Sequence, residues 1–377
     1  MDALLLTSLA LLSYTYAGYP LLAGLLALLV PRPHRREPIE PSVSVVIVAH
    51  NEERDISRKL DNTLALDYPP AKLEIVVASD GSTDRTDEIV RGYAERGVRL
   101  FRAEDHPGKS ATTSRVAETL RGEILIFSDA TGEYDASVVR SFVRNFADPS
   151  VGAATGRVLY RYGGSAASEG FRIYQRLVVF ARRAESVWGT ETSVSGSICA
   201  IRRQLFRPIP PHLDFDFCHP LHVAQAGLRT VYEADATSLE DAREQAGSEF
   251  AARVRMGLLA YSFVPYLLAG LPRVKSLAYL FQVLSHKLLR WLAPLLLVVL
   301  LVSSVLAVPG SPTAQLILAL QVALYAAAAL GYALSRRGAP ARLLGIPLFF
   351  VTIHLAFLFG LGRFLRGERL ATWNPDR

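Results

Sequence analysis

Cysteine is almost missing from this chain: Cys199 and Cys218 are the only two in 377 residues. A disulfide framework is therefore excluded, and a reducing compartment is the expectation. No G-x-G-x-x-G follows the first predicted strand, which argues against a dinucleotide-dependent redox enzyme. Gly108-Lys109-Ser110 is not a Walker loop either, since Ala103 stands where that loop needs its first glycine. No basic stretch interleaves with aromatics, so nucleic acid is not an expected partner. Cys218-His219-Pro220-Leu221-His222 invites a zinc reading. Zinc needs further ligands at suitable spacing, and none is evident; packed helix residues are the expectation there.

What is present is apolar. Half of the residues are hydrophobic, 20% are charged, and the mean hydropathy is +0.23. That combination predicts a soluble domain joined to membrane helices. The net charge of +6 comes mostly from arginine, which suits anionic lipid and phosphate ligands. Residues 3–30 form a nearly unbroken apolar run without a basic leader or a small-residue cleavage site. Segment 1–30 is thus expected to be a membrane anchor rather than a removed signal. Asp2 precedes it and Arg32, Arg35 and Arg36 follow, so the positive-inside rule puts the next domain in the cytoplasm. Four prolines stiffen a linker at 31–41. Beyond the soluble domain, 257–291 is short-spanned and Pro-broken, and is expected to be interfacial. Three spanning candidates follow within 292–361, then a basic tail at 362–377. A cytoplasmic loop around Arg336, Arg337 and Arg342 would put that tail outside, against the rule.

Between linker and membrane, short β-branched or apolar runs alternate with helical patterns. Val43–Ala49, 73–78, 98–101 and 124–127 predict strands buried on both faces. The fold class is therefore α/β, a doubly wound, mostly parallel sheet. Each strand ends in a polar cluster, and parallel strands align those clusters on one edge, as at a nucleotide site. The central stretch is 123–135, EILIFSDATGEYD, which places Ser128 and Asp129 just off a buried strand. Asp129 alone would also suit a helix cap. With Glu133 and Asp135 it suits a hard divalent cation on a diphosphate.

The segments VSVVIVAHNEE, VVASDGSTD, HPGK and ILIFSDA, in this order, resemble the family-2 glycosyltransferases of GT-A fold. The similarity continues through FADPSVGAATGRV and GSICAIRR and covers roughly 42–256. The membrane layout resembles the polysaccharide-synthase-like branch. The resemblance implies a cytoplasmic domain at 42–256 that uses a nucleotide-diphospho-sugar, with Mg²⁺ or Mn²⁺. Glu52 and Asp80 match nucleoside-contacting positions, usually for uridine, and Lys109 and Ser128 match positions near the nucleotide. Asp129 matches the metal-binding acid of the D-x-D element, whose second acid is replaced by Thr131. Gly196 and Ser197 match the wall of an acceptor pocket. Asp216 matches the catalytic base, with Phe215 in place of a neighbouring acid. Arg253 and Arg255 survive from a Gln-Arg-x-Arg-Trp motif in which Ala252 and Met256 replace the ends. They suit a pyrophosphate leaving group, while the lost tryptophan weakens the case for a long polymer product. The expectation is an inverting transferase in the inner membrane, moving sugar from a UDP-sugar to a lipid-linked or growing polysaccharide acceptor. Two alternatives remain open: transfer to a polyprenyl phosphate, and a catalytically silent nucleotide-binding membrane scaffold.

Overall fold

The computed structural model describes residues 2–161, 166–241, 246–337 and 342–370. Residues 371–377 of the expected tail lie outside the described residues. Among the described residues, eight strands form one sheet: β1 Val43–Ala49, β2 Leu73–Asp80, β3 Val98–Ala103, β4 Ile124–Asp129, β5 Glu133–Tyr134, β6 Val151–Arg161, β7 Ile198–Arg202 and β8 Arg229–Asp241. Their order is β3-β2-β1-β4-β7-β6-β8-β5. β1 pairs in parallel with β2 and β4, as does β2 with β3. Beyond β4 the sheet becomes mixed, because β7 returns antiparallel with Phe127 opposite Cys199.

The apolar runs are continuous because both faces of the sheet are covered. In β1, Val45 and Ile47 enter one core while Val46 and Val48 enter the other, as the two-residue period of a strand requires. β4 does the same, with Ile124 and Ile126 on one face and Leu125 and Phe127 on the other. The first face is packed by Ile56 and Leu60 of helix Ile56–Leu64 and by Val138, Val139 and Phe142 of helix Val138–Val143. The second face has a different covering. Its core runs from Phe127 through Phe215 to Tyr261, Phe263 and Trp291, so the sheet and the apolar C-terminal helices share one interior.

Among the described residues, five helices are long and apolar enough to cross a membrane: Asp2–Leu29, Phe250–Arg273, Leu277–Ala307, Pro312–Arg336 and Gly345–Leu365. The first passes through a π turn at Tyr14–Gly18 without breaking. The segment beginning at 257, expected at the interface, belongs to one continuous helix, Ala246–Gly270, that contains Pro265. Half of its most apolar window is buried inside the protein, against 22% for Asp2–Leu29. The burial comes from a close crossing with helix Gly345–Leu365. A Cβ on Gly360 would lie 2.8 Å from the Leu258 nitrogen, so the backbones meet where only glycine fits.

Candidate active site

The site is assembled from the carboxyl ends of the parallel strands. Where β1 ends, the Asn51 Oδ1 accepts the Thr83 N–H at 2.8 Å, and Ser82 Oγ accepts the Asn51 N–H at 3.1 Å. These bonds lock the β1 and β2 loops together and leave the buried Glu52 at the cavity wall. Asp80, at the end of β2, is fully buried. Its Oδ1 accepts from the Gly108 N–H at 3.1 Å and from the Thr112 hydroxyl at 2.6 Å. It thereby fixes the turn that carries Lys109. The Lys109 ammonium then reaches Asp129 Oδ1 at 2.5 Å. Against the cost of burial, the carboxylates of Asp129, Asp216 and Asp214 hold the Lys109 pKa above its ordinary value.

The turn after Asp129 is held from below. Lys59, buried and pushed down to a pKa of about 7 by desolvation, donates to the Gly132 oxygen at 2.6 Å and lies 3.7 Å over the Tyr134 ring. Tyr134 Oη lies 2.8 Å from the Phe127 oxygen and 2.9 Å from that of Ser197, tying β4 to the Gly196–Ser197 loop. β5 pairs with the far end of β8, Tyr134 opposite Ser238, and this pairing brings Glu240 to the cavity beside Asp129. Burial and the Asp129 charge raise the Glu240 pKa to about 7, and its buried Oε1 has no hydrogen-bond partner.

A second corner is built on helix Phe215–Gln225. Asp214 is its N-cap, with Oδ1 accepting the Asp216 N–H at 3.1 Å. Asp216 stands in the first turn beside Gly196, with Oδ1 enclosed and unbonded. Burial, then repulsion from Asp214, raises its pKa well above the carboxylate range, with Lys109 opposing. Glu52, Lys109, Asp129, Gly196, Asp216, Glu240 and Arg255 all line one cavity of about 780 Å³. The enclosed, unpartnered Glu240 Oε1 beside Asp129, with a lysine ammonium drawn in among the acids, fits a hard divalent cation. Asp129 and Glu240 are the carboxylates here that could hold such an ion.

Residues 44–209 match the sequence profile of Glycosyl transferase family 2. That stretch, under half of the chain, is similar to the family-2 glycosyltransferases. A beta-monoglucosyldiacylglycerol synthase of Synechocystis sp. is 32% identical over 117 residues, 30% of this chain and 24% of that protein. A dolichyl-phosphate beta-glucosyltransferase of Trichomonas vaginalis is 34% identical over 111 residues, 27% of this chain and 33% of that protein. The matched stretch thus spans a third or less of these relatives. A mannosyltransferase of Pyrobaculum calidifontis, solved in complex with GDP-Man and Mn²⁺, has the same fold over nearly the whole length. Its TM-score is 0.74 at 23% identity, covering 97% of this chain and 99% of that one. The shared fold therefore takes in the arrangement of the apolar helices as well as the sheet.

The residues singled out from sequence divide into two groups. Glu52, Lys109, Asp129, Gly196, Ser197, Asp216 and Arg255 share the cavity. Asp80, Ser128 and Arg253 stand outside its lining. Asp80 braces the Lys109 turn, and the buried Ser128 donates to the Asp129 main-chain oxygen at 3.0 Å. Arg253 lies over the rings of Phe171 and Phe349, at 5.2 and 5.5 Å. Phe215, where the resemblance implied an acid, packs 5.6 Å from Phe127 and 5.4 Å from His219. His219 and His222 are buried, their pKa values lowered to about 3 and 4 chiefly by desolvation, and His222 Nε2 bonds the Tyr266 hydroxyl at 2.8 Å. Sequence reading missed Glu240, and also a cluster of His50, Asp80 and His106 with ligand atoms within 4.8 Å of one another. Those two imidazoles stack at 4.0 Å, and each bonds the Asp80 main-chain oxygen through Nδ1, at 2.7 and 2.8 Å. They hold the β2 turn and the Lys109 turn together.

Proposed function

We propose that this protein is a membrane-embedded inverting glycosyltransferase working on the cytoplasmic face of the inner membrane. It would move a sugar from a nucleotide-diphospho-sugar, a UDP-sugar first among the candidates, to a hydroxyl of a lipid-linked or polysaccharide acceptor. The observation that carries this reading is the single cavity in which Asp129, Glu240, Lys109 and Arg255 face Asp216. The strand-end residues would bind the donor, with Glu52 accepting from ribose hydroxyls and Lys109 and Arg255 pairing with the diphosphate. A divalent cation held by Asp129 and Glu240 would neutralise charge on the leaving diphosphate. Asp216 would accept the proton of the acceptor hydroxyl as its oxygen bonds to the anomeric carbon and the bond to the diphosphate breaks on the opposite face. A raised Asp216 pKa makes it a stronger base once it is ionised.

The test is a panel of UDP- and GDP-sugars given to the purified full-length chain with native membrane lipids, scored by nucleotide release. Release from one donor, lost in Asp216→Asn, is the expected result. No release and no nucleoside diphosphate binding with any donor would refute the reading and favour the silent scaffold.

A further inference from the structure

The cavity does not stop at the acids. Past Ser193 and Asp216 it continues between helix Ala166–Trp188 and the membrane helices, where Tyr16, Leu177, Phe349, Phe350 and Ile353 make its wall apolar. Lys287 and Arg290 stand at the junction of the two halves, three residues apart in one continuous helix and both facing the cavity. The Lys287 ammonium donates to Ser193 Oγ at 2.8 Å and lies 5.9 Å from the ring of Phe217, the neighbour of Asp216. Arg290 lies 4.9 Å over the Tyr174 ring and approaches His286 Nε2 at 3.3 Å. Among the described residues neither cation is ion-paired. The buried acids nearby bond elsewhere: Glu185 to His286 Nδ1 at 2.7 Å and to the Tyr19 hydroxyl, and Glu191 through Oε2 to Arg182 Nε at 2.9 Å, with its Oε1 enclosed and unpartnered.

Cations half-enclosed at the edge of an apolar chamber are costly unless an anion completes them. The donor diphosphate has its own cations, Lys109 and Arg255, at the strand ends. A soluble polysaccharide would need neither the two charges nor the apolar arm. We infer that Lys287 and Arg290 form a subsite for the phosphate of a lipid-linked acceptor. Its hydrocarbon lies in the apolar arm of the cavity, and its glycan end reaches Asp216. This deepens the transferase reading and rests on it.

The experiment uses the full chain in phosphatidylcholine nanodiscs, with a long-chain polyprenyl phosphate as the probe and native mass spectrometry as the readout. Retention of the polyprenyl phosphate by the wild type is expected. Because each charge-assisted bond to phosphate is strong, Lys287→Gln with Arg290→Gln should weaken it about tenfold or more. Lys287→Arg should retain the lipid, and all variants should bind nucleoside diphosphate like the wild type, which also shows that they fold. Wild-type retention by the double glutamine variant would overturn the subsite. So would equal retention of phosphatidylglycerol, which would make it a general anionic-lipid contact, or competition by inorganic phosphate at the same concentration. A wild type that holds polyprenyl phosphate but no nucleoside diphosphate would instead remove the transferase reading beneath it.

Discussion

Gly196→Ala tests the catalytic corner with one methyl group. A Cβ at this position would lie 2.7 Å from Asp216 Oδ1, 2.8 Å from Phe215 Cζ and 3.3 Å from Lys109 Nζ, where ordinary contacts begin at 3.4 Å. Phe215 cannot retreat, because it is 1% exposed and wedged against Phe127 and His219. The Asp216 carboxylate must therefore move by about 0.7 Å, the difference between 2.7 and 3.4 Å. Overpacking of this kind costs about 1–3 kcal/mol in stability, and displacing a reacting group by roughly 1 Å costs about a hundredfold in rate. Turnover at saturating donor should fall by one to two orders of magnitude, while nucleoside diphosphate affinity should barely change. Gly310→Ala, where a Cβ meets nothing within 4 Å, is the control. The assay is sugar transfer with a parallel nucleotide-binding titration. Wild-type turnover in Gly196→Ala would show that Asp216 does not take the acceptor proton from this position.

Asp216→Asn should cut turnover by about 10² to 10⁴. Because the Asp216 pKa is raised in the folded chain, its stabilising contribution is complete below the unfolded pKa and is lost as pH rises. The asparagine variant should thus melt higher than wild type at neutral pH and equal it in acid; the opposite order would contradict the raised pKa. Wild-type turnover should climb with pH until Asp216 is ionised, and a flat profile would exclude it as the base. Asp129→Asn and Glu240→Gln should each weaken Mn²⁺ binding measured by titration, and excess EDTA should abolish transfer; full activity in EDTA would reject the metal. A reporter fused after Gly92 should give a cytoplasmic signal, and a periplasmic one would reverse the topology.

The half of the sheet built by β1 to β4 was legible in the sequence because each strand is buried on both faces and closed by polar residues. Those runs also announced Glu52, Lys109 and Asp129. The return strand β7 was harder, since its antiparallel place between β4 and β6 is set by pairing across distant segments. Glu240 was hidden for a related reason. The segment 229–233, RTVYE, reads as a complete strand by itself, yet β8 continues to Asp241 through Asp235, Thr237 and Ser238. Only the alternation of Ala236, Ser238 and Glu240 on one face marked the continuation. The resemblance singled out Asp80 as a nucleoside contact, and it could not show that its Oδ1 also accepts from Thr112 and Gly108. The helix Ala246–Gly270 read as interfacial because Pro265 interrupts it, and proline is tolerated there because neighbouring helices enclose that span.

The interior shared by Phe127, Phe215, Tyr261 and Trp291 has a consequence for how this molecule can be handled and how it can evolve. Cutting after Met256 would not free a catalytic unit. It would strip Ala260, Tyr261, Phe263 and Leu267 from the back of the sheet, together with the bond from the Tyr261 hydroxyl to the Trp291 oxygen at 2.7 Å. The bared face would be an aggregation surface, so a soluble fragment is expected to precipitate where the whole chain in lipid does not. Replacing the apolar helices with a generic anchor should fail in the same way. Sheet and apolar helices are inherited as one piece, and the residues lining the cavity can change only by substitutions that keep this joint packing intact.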